Sequence, residues 1–163
     1  MTTITISLVG IPELRAKLEQ AAASLARPTA LMEAIAAQME NNVQFRFDAR
    51  KAPDGSAWSP LAASTKRRYA AEDAKSGGKK QGTLLQRTGH LRASLSSRGH
   101  DDYAEIGFTR TVGGWDLGAL HEFGTQTMPR RQLLTDDPVA GTLGQGDLED
   151  INGVVQLFVD GLL

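Results

Sequence analysis

Cysteine is missing from the 163 residues. That excludes a disulfide framework, a thiolate metal site and a cysteine nucleophile, and it fits a reducing compartment. Aromatic residues make up only 6%, so the core has to be built mainly from Leu, Ile, Val and Ala, and few rings are available to stack on bases. No apolar run approaches the roughly 20 residues of a membrane-spanning helix, and no secretory leader or membrane partner is expected. The only histidines are His90, His100 and His121. No two stand four apart on one helix face, and H-E-x-x-H is absent, so no metal centre is expected. G-x-S-x-G is absent as well, which leaves no support for that type of serine hydrolase. "GTLGQG" (141–146) follows no strand, and "SGGKKQG" (76–82) lacks the Lys-Ser/Thr end of a phosphate loop. Neither a catalytic residue nor a cofactor is expected.

Charge is present but uneven. The formal net charge is −1, yet residues 44–98 hold twelve Lys/Arg against four Asp/Glu, and residues 135–163 hold six acids and no base. A chain basic in its middle and acidic at its end can attract copies of itself or a charged partner. Lys66, Arg67, Arg68, Lys75, Lys79 and Lys80 fall within fifteen residues. Counterion release would let such a cluster contact phosphate, so non-specific contact with DNA stays open.

The length fits a single domain, 1–163, with 62–82 as a mobile basic arm and 135–163 as an acidic C-terminal section. "TITISLVG" (3–10) alternates like a half-buried strand. "IPELRAKLEQAAASLA" reads as a helix with Leu14, Leu18, Ala22 and Leu25 as its stripe, and Pro28 opens a second. There Leu31, Ile35, Met39, Val43 and Phe47 recur every fourth residue, the strongest helical signal in the chain. "KAPDGSAWSPL" (51–61) is a loop with an Asp-Gly turn at Gly55. Trp58 brings too much apolar area to dangle from such a loop, so it is expected to pin the loop to the body or to a neighbouring subunit. Residues 64–75 predict a short exposed helix. Thr88 is the expected N-cap of a helix carrying Leu91 and Leu95. Residues 102–109 alternate like a strand. Residues 113–123 predict a helix with Trp115, Ala119 and Phe123 on its face, stopped by Gly124 in the left-handed conformation. Asp147 is the expected cap of a last helix with Leu148, Ile151, Val155, Phe158 and Leu162 inward. The element order predicts an α+β fold: a small antiparallel sheet packed against the 28–48 helix, with an extended basic arm and a C-terminal helix. Strands over 95–99 and 129–134, or strands from neighbouring subunits, would complete the sheet.

"ALHEFGTQTMPRRQLL" (119–134) reads as a structural corner. Leu120 and Phe123 pack inward, Gly124 turns the chain, Pro129 stiffens the exit, and Arg130 and Arg131 project toward a partner or pair with local acids. His121 and Glu122 are adjacent, so on a helix they point about 100° apart and cannot share an ion. His121 is expected to act as a hydrogen-bonding staple.

The order of "PDGSAWSPL", "STKRR", "LLQRTGHLRAS", "AEIG", "LHEFGT" and "PRRQLL" resembles the phage virion-morphogenesis, or tail-completion, family. More distantly, "TGHLRAS" followed by "HEFGT" is similar to head–tail joining proteins of long-tailed phages. The resemblance covers roughly residues 3–135. It departs where Gln132-Leu133-Leu134 replaces an expected Pro-Phe-Leu, and the section 135–163 has no family pattern. The resemblance implies a non-enzymatic structural protein of the tail or neck, made in the host cytoplasm. It implies that the protein completes the tail and helps it join the head, as a ring, commonly sixfold, around the channel that DNA crosses. The implied partners are further copies of the chain, the tail tube or tail terminator, and head–tail connector proteins. Candidate subunit- or partner-facing residues are Trp58, Lys66, Arg67, Arg68, Arg130 and Arg131. Gly55, Thr88, Gly89, His121, Gly124 and Pro129 are the motif positions that shape the chain. The alternative is a DNA-binding accessory module using the 62–82 arm.

Overall fold

The computed structural model describes residues 11–75, 77 and 84–162. The strand expected over 3–10 and most of the glycine-rich stretch 76–82 lie outside the described residues. In chain order the elements are α1 (Ile11–Ala26), α2 (Thr29–Ala49), α3 (Ala63–Lys75), α4 (His90–Ala93), β1 (Leu95–Gly99), β2 (Ala104–Phe108), β3 (Thr111–Val112), β4 (Trp115–Asp116), α5 (Leu117–Phe123) and α6 (Gln145–Asp160). This is an α+β fold: a small antiparallel sheet on a long helix, with a helix at the C-terminal end.

Helix α2 organises everything else. Its four-residue repeat buries Leu31, Met39, Val43 and Phe47 and half-buries Ile35. Strands β1 and β2 pair antiparallel from Leu95↔Phe108 to Gly99↔Ala104 and lie across α2. Their period of two sets Leu95, Ser97 and Gly99 toward the helix, where Ser97 Oγ donates to Glu40, while Ser96 and Arg98 face water. Gly99 is required by proximity, because a Cβ there would lie 2.2 Å from the backbone nitrogen of Glu33. Helix α6 packs on α2 as well. The core joins Val43, Phe47, Ala52, Trp58, Leu91, Phe108 and Leu133. Phe47 meets Trp58 and Phe108 edge-on, with ring centroids 5.8 and 6.1 Å apart, the arrangement that ring quadrupoles favour.

Several expectations are corrected. The α1 stripe is not a packed face: Ala21 is buried, but Leu18, Ala22 and Leu25 are exposed. The 88–95 helix shrinks to the single turn of α4, because Leu95 already belongs to β1. Gly89, at φ 73°, is its N-cap, and Thr88 makes only a 3.5 Å contact with the His90 N–H. The 113–123 helix is α5 alone. Trp115 sits in the β3–β4 hairpin, paired with Val112, and Trp115, Ala119 and Phe123 all face outward. Asp116 caps α5 by accepting from the Ala119 N–H at 2.9 Å. Gly124 ends it with φ 70° but ψ −175°, a region open essentially only to glycine and distinct from the left-handed helical one. Asp147 is not a cap, since Gly144 holds that position. Leu148, expected inward, is exposed. The 129–134 segment joins no sheet among the described residues.

Candidate functional site

The segment 131–135 explains the corner. It bends at Leu133 and Leu134, its Leu133 side chain is 0% exposed, and its backbone groups have no strand partner among the described residues. Buried amides and carbonyls must find partners, and here side chains supply them. The Glu122 carboxylate, on the inward face of α5, accepts from the N–H groups of Leu133 (2.6 Å), Leu134 (3.1 Å) and Thr135 (2.7 Å) and from the Thr135 hydroxyl (2.5 Å). Arg46 of α2 donates to the Leu133 carbonyl at 2.8 Å, and the Trp58 indole donates to the Gln132 carbonyl at 2.9 Å. The Arg131 N–H reaches the His121 carbonyl at 2.8 Å. The Arg131 side chain turns back to the carbonyls of Ser59 and Pro60, at 2.8 and 3.1 Å. Arg46 also pairs with buried Asp147 of α6, which accepts from Asn42 at 2.9 Å. Charged and aromatic groups from α2, the 51–61 loop and α5 thus converge on these residues, and Asp147 of α6 holds Arg46 in place. Hydrogen bonds to ionised groups are the stronger kind, about 1.5–3 kcal/mol each.

Beside this corner, α3 stands off the body. Arg87 fastens its far end, donating to Asp73 (2.9 Å) and Glu72 (3.1 Å) with its guanidinium 4.2 Å from the Tyr69 ring centre. A cleft of about 350 Å³ opens between α3 and the segments 85–91, 110–117 and 127–131. Its lining combines Leu85, Leu91, Leu117 and Met128 with four arginines, and among the described residues no carboxylate lines it.

His121 faces this cleft rather than a staple partner, and its buried Nδ1 has no hydrogen bond. Glu122 is the staple in its place. Burial, and then the nearby Arg131 charge, push the imidazole down to about 4, so it is neutral at pH 7. An unfolded chain takes up this proton near 6.5 and the folded one near 4, so stability is full above about pH 6.5 and falls as pH drops toward 4. The difference corresponds to roughly 3 kcal/mol at most. We expect the urea midpoint of the natural chain to drop between pH 7 and pH 4.5, and that of His121→Gln to drop markedly less. Parallel midpoints for the two would show that His121 stays solvated.

The expected site residues divide in two. Arg68, Thr88, His121, Pro129 and Arg131 come together around the cleft. Lys66, Arg67 and Arg130 are exposed outside it. Gly55 sets the 52–56 turn at φ 82°. Trp58 and Arg131 are both buried, and their side chains donate to backbone carbonyls of Gln132 and of Ser59 and Pro60. Sequence reasoning missed Arg46, Glu122 and Asp147. The available signal was Arg46, which stands three residues after Val43 and next to Phe47, inside the buried stripe.

Among the described residues, no cluster of three or more His, Asp or Glu is placed to hold a metal ion, and no helix is long and apolar enough to cross a membrane. Three of the buried charged groups, Arg46, Glu122 and Arg131, hydrogen-bond to backbone. The profile of the phage virion morphogenesis family matches residues 9–156, and the chain belongs to that family. Its role is that of a phage structural or assembly protein, associated with the virion. No curated protein and no solved structure matches it.

Proposed function

We propose that this chain completes the phage tail and supports its joining to the head, acting at the neck as a homo-oligomeric, sixfold ring and catalysing no reaction. Its partners in this reading are other copies of itself, the tail tube or terminator, and the head–tail connector. The observation that carries the reading is apolar surface left in water. Trp115 is 68% exposed, and Val112 and Phe123 of the same 112–123 stretch are exposed too. Large apolar side chains gathered on a surface mark interfaces more often than chance. Complementary charge supports it: α3 presents Lys66, Arg67 and Arg68 to solvent, and the section after residue 135 is acidic. The basic arm of one subunit lies on the acidic 135–150 surface of the next. Contacts between two different patches of identical subunits close into rings when the rotation fits.

Reversing Lys66, Arg67 and Arg68 to glutamate is therefore expected to weaken assembly, and more strongly as salt is lowered, since screening falls with ionic strength. Light scattering across a salt series checks this, and an unchanged ring mass would count against the contact. The second reading, a DNA-binding accessory module, rests on the same exposed basic face of α3. Tight DNA binding with a steep salt dependence, lost in the reversed variant and accompanied by no self-association, would favour it.

A further inference from the structure

The turn at 136–142 has no role in the fold described above, yet it is tightly built. The Asp136 N–H donates to the Thr142 carbonyl at 2.9 Å, and the Gly141 and Thr142 N–H groups donate to the Asp137 carbonyl at 2.7 and 3.1 Å. The Asp137 carboxylate accepts from the N–H groups of Val139 and Ala140 at 2.9 and 3.2 Å. At the tip Val139 is 85% exposed, more than any other large apolar side chain among the described residues. A rigid turn holding an aliphatic side chain in water, with carboxylates at its base, is a knob without a socket on its own subunit.

The cleft beside α3 has the complementary character. Its Leu85, Leu91, Leu117 and Met128 side chains, set among the lining arginines, suit an aliphatic group. Its rim suits carboxylates: Arg110 has no ion pair among the described residues, and Arg68, over the Tyr69 ring at 5.4 Å, has a single long ion pair there, 3.7 Å to Glu72. A cleft of this size takes the tip of a turn and not a whole helix, which is about 10–12 Å across with its side chains.

We propose that the 136–142 turn of one copy seats in the arginine-rimmed cleft of a second copy, with Val139 among the leucines and Asp136 and Asp137 against Arg68 and Arg110. The inference rests on the self-assembly reading and deepens it, because it names the two surfaces that meet. Knob and socket are different patches of one chain, which gives the contact a head-to-tail sense.

The absence of native cysteine makes a clean test. Val139→Cys and Thr127→Cys, the latter exposed at the cleft, are made separately in the full chain, mixed under assembling conditions and mildly oxidised. The expected product is a disulfide-linked dimer joining one variant to the other, several-fold above what either gives alone. Val139→Asp, on a turn that solvates it freely, is expected to weaken association at least tenfold by sedimentation. Assembly that persists with no mixed disulfide, together with an unaltered Val139→Asp mass, overturns the proposed contact and leaves the ring reading standing. Protection of the Thr127→Cys thiol by duplex DNA instead of by a second copy also overturns it. A chain monomeric at every concentration removes both the contact and the self-assembly reading.

Discussion

Glu122→Ala is expected to lose about 3–5 kcal/mol of stability, a large part of the roughly 5–15 kcal/mol that holds a typical domain. The side chain is the single acceptor for three consecutive backbone N–H groups and a hydroxyl. Removing it strands those donors where Leu133 is fully buried, at about 1–3 kcal/mol for each group left unsatisfied. Water entering the space left behind reduces the sum. Glu122→Gln separates charge from shape. It retains one acceptor oxygen but turns an NH₂ toward the same donors, so an intermediate loss of about 2 kcal/mol is expected. Urea midpoints with unchanged slopes check both variants. A Glu122→Ala protein within about 1 kcal/mol of the natural one would mean that the 131–135 path does not depend on this carboxylate.

The Arg46–Asp147 pair carries the second large effect. Both groups are buried and join α2 to α6, and Arg46 also holds the Leu133 carbonyl. Breaking a buried pair leaves one charge without compensation, so Arg46→Ala and Asp147→Ala are each expected to cost about 3–5 kcal/mol. Removing both charges with apolar replacements of similar volume, Arg46→Met with Asp147→Leu, is expected to recover much of that loss. The double-mutant cycle should then show strong coupling, on the order of 2–3 kcal/mol. Additive losses would show that the two side chains stabilise the fold independently.

These two clusters mark where sequence reading stopped. The core helix was legible because its stripe repeats every fourth residue over five positions, and its partner strand β2 because Ala104, Ile106 and Phe108 alternate cleanly. β1 was placed correctly from the need for a partner strand rather than from its own pattern, which is polar. In the sequence Glu122 shows only its place beside His121. Its real partners lie eleven to thirteen residues on, in a segment expected to be a strand. That segment bends at Leu133 and Leu134, and Glu122 and Arg46 side chains hold its backbone, an arrangement that no periodicity records. Trp115, Ala119 and Phe123 have helical spacing, yet they point outward. A stripe says which residues share a face and not whether that face meets the core or another chain. Asp147 followed the same logic: an acid near a helix start reads as a cap, and only α2 passing alongside makes it an ion-pair partner.

Taken together, the buried charges hold a corner, the corner borders the cleft, and in the proposed reading the exposed apolar residues meet other copies of the chain. The most direct test of that account is the composition of purified tails made with and without this chain, by quantitative mass spectrometry and electron microscopy of the same particles. The account predicts a fixed complement of about six copies on each finished tail, seated at its head-proximal end, and tails that cannot join heads when the chain is withheld. Finished, head-joined particles that contain no copies of it would contradict the account.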